Sequence, residues 1–308
     1  MVGNSDIICQ DLSRSTHLMK QFGLLYKLAT LMPEWIVSLV HPLTKDLFEL
    51  RRNIASKVQA SHTSNENQKY PKSIFDGLLE SNLPSHELGA DRLTDEGLTL
   101  IGAGTVTTAH TLTTILFHLL ANPASVKNLR EELSFLPGNH TWSALSQLPY
   151  LSAIVNEGLR LSYGVSHRLQ RISPDQPLPY KQWVIPAGTP VSMTNMFIHQ
   201  DPEIFPDPNS FCPERWLESA SWEPSKFPPP QQARRFLVPF SKGTRACLGM
   251  NLAYAELFLV LGSLFRPVEQ GGLEMELFKT SYEDVECVHD FFNPAAKLNS
   301  PGVRVIVR

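Results

Sequence analysis

Phe240-Ser241-Lys242-Gly243-Thr244-Arg245-Ala246-Cys247-Leu248-Gly249 is the stretch on which the reading of this chain turns. Glycines at 243 and 249 let the backbone bend sharply and come close to a flat partner. Apolar residues at helical spacing resume just beyond Cys247, so a helix is predicted to begin there. Its amides and dipole favour a thiolate at its start. Arg245 adds positive charge and can pair with an acidic group. A lone cysteine in such a turn is more often a buried structural residue. The competing reading is a sulfur held out as a metal ligand.

Outward from this loop the pattern is mainly helical. Leu252 to Phe265 follows it as a strong helix. Upstream, Thr94 is predicted to cap a helix reaching Ala121, on the order of 40 Å long. Asn122-Pro123 stops that helix, and its Gly102-to-Thr108 stretch places glycines and β-branched residues where a helix tolerates them poorly. Ala124 to Phe135 and Leu148 to Leu161 read as amphipathic helices. Ser73 to Ser81 reads as a short one. Leu12 to Ala60 is a helical region punctuated by Pro33 and Pro42, and Ser61 to Pro71 and Leu83 to Gly89 read as loops. Trp183 to Ile185 and Pro190 to Met193 read as strands around a Pro186-Ala187-Gly188-Thr189 turn. Asp201 to Pro230 is proline-rich and irregular, and strand-like runs lie near Val285 to His289 and Gly302 to Val307. Helices with a few late strands make a mainly α (α+β) class.

Composition limits the function classes. The chain has 308 residues, 42% hydrophobic and 19% charged, with a formal net charge of −3. That is ordinary globular composition, enough to bury roughly 75% of the unfolded surface, with no global pull toward nucleic acid or an anionic membrane. The four cysteines, Cys9, Cys212, Cys247 and Cys287, form no C-x-x-C pair, and reduced thiols are expected. The start, Met1 to Gln10, lacks a signal pattern. No window holds 18 apolar residues in a row, so no transmembrane segment is predicted. Asn139-His140-Thr141 is a glycosylation triplet of little weight.

Three further motifs stand in order before the cysteine loop. Glu157-Gly158-Leu159-Arg160 is a Glu-x-x-Arg whose spacing puts both side chains on one helix face. Alone it is weak, since such pairs are usually solvated. Phe211-Cys212-Pro213-Glu214-Arg215-Trp216 follows it, and Arg168-Leu169-Gln170-Arg171-Ile172 lies between the two. Ala103-Gly104-Thr105-Val106-Thr107-Thr108 sits inside the long helix.

Together these motifs resemble the cytochrome P-450 superfamily of haem-thiolate monooxygenases. The cysteine loop matches F-x-x-G-x-R-x-C-x-G, a highly specific pattern. The hexapeptide at 211 resembles F-x-P-x-R-W, and residues 103–108 resemble A/G-G-x-D/E-T-T. The resemblance covers the chain from about Leu12 to Arg308 and looks nearest to fungal members of specialised-metabolite pathways. It implies a single haem-thiolate domain over 1–308, lacking the N-terminal part and membrane anchor of full-length relatives. Haem b would be held through Cys247, with Phe240, Gly243 and Gly249 shaping the loop and Arg171 and Arg245 on the propionates. Arg168 is the reserve for Arg171. Glu157, Arg160 and Arg215 would form a structural network beneath the haem. Ala103 and Gly104 would leave space for dioxygen, and Thr107 would help deliver protons. Two departures stand out. Val106 replaces the family's acid and can neither donate nor accept a proton. Ser162-Tyr163-Gly164 stands where family members often carry proline.

The implied reaction is insertion of one atom of O2 into an apolar small molecule, in a region near Leu100, Ile101, Val165 and Ser166. Electrons would come from NADPH through a separate reductase, because no dinucleotide fingerprint is present. Two alternatives stay open: a haem-thiolate isomerase or dehydratase, and a shortened remnant acting without catalysis. The residues leave the location open. An intracellular chain, soluble as given, is expected, with the endoplasmic reticulum membrane the place for full-length relatives.

Overall fold

A computed structural model describes residues 44–63, 73–136, 138, 140–218 and 229–308. Cys9, Pro33, Pro42, Asn139 and most of the predicted 12–60 helical region lie outside them. The chain divides into two compact units, Met1–Val106 and Thr107–Arg308.

In the first unit, α1 (Thr44–Thr63) and α2 (Ile74–Leu79) meet the first half of α3 (Ala90–Ala121). Ile54, Val58, Phe75 and Leu93 form the core. Gly97 is required there, because a Cβ would sit 2.7 Å from Ile54 and 2.9 Å from Phe75. Ser73 and Asp76 close a capping box at the start of α2. A 3-10 turn, Ser85–Glu87, occupies the predicted 83–89 loop.

Helix α3 begins four residues before the expected cap. Thr94 lies inside it, and its hydroxyl donates to the Ala90 carbonyl at 2.7 Å. The side chain is satisfied by the preceding turn, so it terminates nothing. The Gly102-to-Thr108 stretch is helical throughout, and the helix runs about 48 Å without interruption. Tertiary packing overrides the weak local propensity. By length and average composition α3 is also long and apolar enough to cross a membrane. Polar residues scattered through it leave no unbroken apolar run of that length.

In the second unit α4 (Pro123–Ser134), α5 (Trp142–Leu145), α6 (Pro149–Ser162) and α9 (Met250–Phe265) surround one core. It contains Ile115, Leu129, Leu133, Leu145, Leu151, Ile154, Leu159, Leu257, Leu261 and Phe265. Each such side chain contributes about 1.5–3 kcal/mol on burial. Leu148, just before α6, supplies no cap. Glu132 on α4 does so instead, its carboxylate accepting from the amides of Tyr150 at 2.7 Å and Leu151 at 2.8 Å. The α3 and α6 backbones come so close that a Cβ on Gly158 would overlap the Ile115 side chain.

The strands form four two-stranded antiparallel pairs. β1 (Arg171–Ile172) pairs with β4 (Pro190–Val191), and β2 (Leu178–Tyr180) with β3 (Trp183–Ile185). The predicted strands at 183 and 190 are thus present but do not pair with each other across the Pro186 turn. β3 turns back through Lys181 at φ 52° to meet β2. β5 (Met275–Leu277) pairs with β8 (Val305–Val307), and β6 (His289–Phe291) with β7 (Asn293–Ala295). Residues 285–288 are not strand. Two short helices, α7 (Asn195–His199) and α8 (Pro230–Phe236), flank the irregular meander, whose 3-10 turn Pro213–Trp216 packs on α6.

Candidate haem-thiolate site

The loop that carries Cys247 is built from three backbone devices. Ser241 donates to the Val238 carbonyl at 3.1 Å, with Ser241 itself at φ 60°. Gly243 sits at φ +79°, where a side chain would be strained, and opens a 3-10 turn through Arg245. Cys247 then donates its amide to the Phe240 carbonyl at 2.9 Å, closing the loop. Helix α9 starts at Met250 with Gly249 as its cap, two residues after the cysteine. Phe240 is the anchor: half-buried, it lays its ring 5.3 Å from that of Tyr254 on α9.

From Ser241 to Leu252 every residue is exposed, including the free thiol of Cys247 and Leu248 at 94%. A Cβ added at Gly243 or Gly249 would meet nothing within 4 Å. Arg245 has no ion-pair partner among the described residues and is exposed, as is Arg171, whose Nη1 donates only to the neighbouring Gln170 carbonyl at 3.0 Å. A single exposed sulfur at a glycine-lined turn, with exposed guanidiniums to meet acidic groups, fits a haem. Cys247 would supply the one protein ligand such a group needs. Among the described residues no three His, Cys, Asp or Glu side chains gather around an ion.

The sequence-predicted acid and arginines meet between α6 and the meander. Glu157 and Arg160 on α6 and Arg215 on the meander are all but fully buried. Arg160 grips Glu157 with two parallel bonds, Nε to Oε2 at 2.9 Å and Nη2 to Oε1 at 2.8 Å. Arg215 Nε adds a bond to Oε1 at 3.1 Å. The rest of the carboxylate is taken by the Cys212 amide at 2.8 Å and the Trp216 indole N–H at 2.9 Å. Arg160 uses its remaining donors on the carbonyls of His199, Pro208 and Ser210. Arg215 reaches the Pro206 carbonyl at 3.0 Å. One helix thereby holds the meander from His199 to Trp216. Burial alone pushes the Glu157 carboxyl up, but Arg160, Arg215 and the Cys212 amide together hold it below its usual range.

Trp216, Cys212 and His199 are the partners that sequence reading missed. The tryptophan was legible as the last letter of its motif, though not as a donor. His199 had no local signal. It is fully enclosed, and burial followed by the nearby Arg160 pushes it down to about 4.

Of the oxygen-side residues, Ala103, Gly104 and Val106 lie on α3 in the first unit, and no neighbour meets a Cβ at Gly104 within 4 Å. Thr107 opens the second unit; its carbonyl accepts from the Thr111 hydroxyl at 3.1 Å, and Thr111 pairs with Ser162 at 2.9 Å. Following α6, Tyr163 and Gly164 both take left-handed φ, 59° and 66°. The tyrosine is fixed by Asn195 on its carbonyl and Gln200 on its hydroxyl. Beyond them Ser166 and His167 each bond Asp290, on β6, at 2.9 Å.

This arrangement is that of a haem-thiolate protein, and comparison with known proteins agrees. The Cytochrome P450 family model matches residues 6–269, and the chain belongs to that family. It is 44% identical over 299 residues to N-acetyltryptophan 6-hydroxylase ivoC of Emericella nidulans, covering 94% of this chain and 56% of that protein. It is 41% identical to tryptophan 6-hydroxylase fscE of Fusarium equiseti, covering 95% and 56%. Cytochrome P450 monooxygenase oblB of Aspergillus clavatus is 47% identical over 240 residues, 76% of this chain and 44% of that one. The chain spans about half the length of the curated relatives it matches.

Proposed function

We propose that the chain serves as the haem-thiolate domain of a monooxygenase: RH, O2, two electrons and two protons give ROH and water. The observation that carries this reading is the exposed Cys247 thiol on its glycine turn at the head of α9. Haem b bound there would supply oxygen activation, its thiolate ligand favouring O–O cleavage. Arg171 and Arg245 would hold its propionates by charge-assisted hydrogen bonds. Thr107 hands on protons through its hydroxyl. Ala103 and Gly104 keep one side of α3 free of bulk, and Glu157, Arg160 and Arg215 keep the meander in place. Electrons come from NADPH through a separate reductase. The substrate is an apolar small molecule of secondary metabolism; the tryptophan hydroxylases among the relatives favour an aromatic one. The protein acts inside the cell.

A second reading, isomerisation or dehydration on the same thiolate centre, is favoured by Val106, which removes the acid that would relay protons. A carbon monoxide difference spectrum of the reduced, haem-reconstituted chain comes first. A missing thiolate-type band overturns both readings and leaves a non-catalytic remnant. Reductase-dependent hydroxylation then supports the monooxygenase, while turnover without electrons supports the isomerase. Val106→Glu raises the coupled fraction of turnover if the lost acid limits it.

A further inference from the structure

The sequence motifs explain what holds the meander and what shape the cysteine loop takes. They do not explain what ties one to the other. Among the hydrogen bonds described, Arg234 reaches the Trp216 carbonyl at 3.0 Å from an exposed position, and one fully buried side chain spans the gap. His199 Nε2 accepts the Val238 amide at 3.0 Å, which leaves Nδ1 carrying the ring proton, donated to the Arg160 carbonyl at 3.1 Å. Arg160 answers with Nη1 to the His199 carbonyl at 2.9 Å. Val238 leads directly into the cysteine loop, through the Ser241 bond to its carbonyl and the Cys247 bond to Phe240.

The ring has no freedom to do otherwise. It is 0% exposed, stacked on Tyr163 at 6.3 Å and set edge-on to Phe205 at 6.2 Å. Pro239 cannot donate an amide, so the Val238 N–H is the last donor before the loop turns at Phe240. From the other side Gly164 backs onto Pro239, where a Cβ would stand 2.9 Å from its carbonyl oxygen. The entry to the loop is therefore fixed between a histidine nitrogen and a glycine backbone. Desolvation keeps the ring neutral, with a value pushed down to about 4, and a neutral ring is what accepting from an amide requires.

We infer that His199 is a positioning residue for the thiolate ligand, setting the register of the Cys247 loop against the Glu157–Arg160–Arg215 network through its two ring nitrogens. This rests on Cys247 being the iron ligand, and the test separates the two claims.

The full chain is prepared as wild type, His199→Phe, which keeps an aromatic ring and removes both bonds, and His199→Gln, whose amide donates and accepts. Hydrogen exchange is followed first on the haem-free proteins. His199→Phe is expected to speed exchange in the peptide 238–249 by about tenfold, the loss of one buried hydrogen bond, with 157–162 and 206–216 close to wild type. After haem reconstitution, His199→Phe is expected to lose most of the thiolate-type band of the reduced carbon monoxide complex, and His199→Gln to regain a large part of it. Unchanged exchange at 238–249 overturns the inference, as does equal acceleration in all three segments, which marks simple loss of packing. A Gln variant no better than Phe in the band also overturns it. Cys247→Ser run alongside isolates the premise: a persisting thiolate band there removes the ligand assignment, while the exchange result still stands or falls alone.

Discussion

Oxygen Oε1 of Glu157 accepts the Nε–H of Arg215 at 3.1 Å across 58 positions of sequence, and the same oxygen takes Nη2 of Arg160 from the adjacent turn of helix. Two guanidiniums thus converge on one carboxylate with no solvent at any of the three. Such a group gains little over an apolar filling, yet it is costly to break from one side, because the remaining charges stay buried.

Glu157→Gln should therefore be severe. Two cations lose the anion they share, and the new amide turns a donor toward the N–H groups of Arg160 or Trp216. The expected loss is roughly 3–5 kcal/mol, read from the urea midpoint of the full chain. Arg160→Lys should cost nearly as much, since an ammonium cannot reproduce the parallel pair. A loss under about 1 kcal/mol for either would show that the network is not a stability element.

Cys247→Ser should behave in the opposite way. The side chain is exposed, and the loop-closing bond to Phe240 uses the amide that serine retains. Stability should move by less than about 0.5 kcal/mol, while the thiolate-type Soret band disappears. An unchanged band would place the ligand elsewhere.

Stability should also fall on mild acidification, starting well above the carboxylate range. His199 takes its proton near 6.5 when unfolded and at about 4 when folded. A base with a depressed folded value contributes nothing to lose above 6.5. Below it the unfolded chain binds a proton that the native state refuses. The slope is up to about 1.4 kcal/mol per pH unit, near 3 kcal/mol by pH 4. His110 and His118 are pushed down to about 4 by burial as well, so each adds a loss of the same sign over the same range. Glu157, held low, adds its own loss only as pH drops through its depressed folded value. Urea unfolding between about pH 7 and 4.5 checks this: His199→Gln should flatten the slope, and an equal slope would mean another group carries it.

Gly158→Ala is expected to destabilise by about 1–3 kcal/mol through overlap with Ile115. The informative measurement is a double-mutant cycle. With Ile115→Ala the added methyl has room, so the pair should cost clearly less than the sum. Strict additivity would mean that the helices separate instead of colliding.

The cysteine loop and the Glu157 network were legible because their signals are short-range: glycines at fixed offsets, a three-residue helical spacing, and a Pro-x-Arg-Trp run. The helices at 123–134 and 149–162 were legible because each shows an apolar stripe of helical period, and 250–265 because it is a long, nearly continuous apolar run. The rest depends on partners far along the chain. Thr94 looks like a cap until its hydroxyl is seen turned back to Ala90. β5 needs β8, thirty residues away, and nothing in Met275-Glu276-Leu277 announces it. Glu132 caps a helix other than its own, and His199 becomes meaningful only once Val238 is beside it.

The corner after α6 bears on the engineering of chimeras. Proline, confined to φ near −65°, cannot follow the path that Tyr163 takes at 59°. A pathway engineer exchanging blocks with a proline-bearing homologue would therefore be swapping incompatible backbones at this point. A crossover placed here would strand Asn195 and Gln200 without their tyrosine. Viable junctions must carry the corner together with those two residues, as one inherited module.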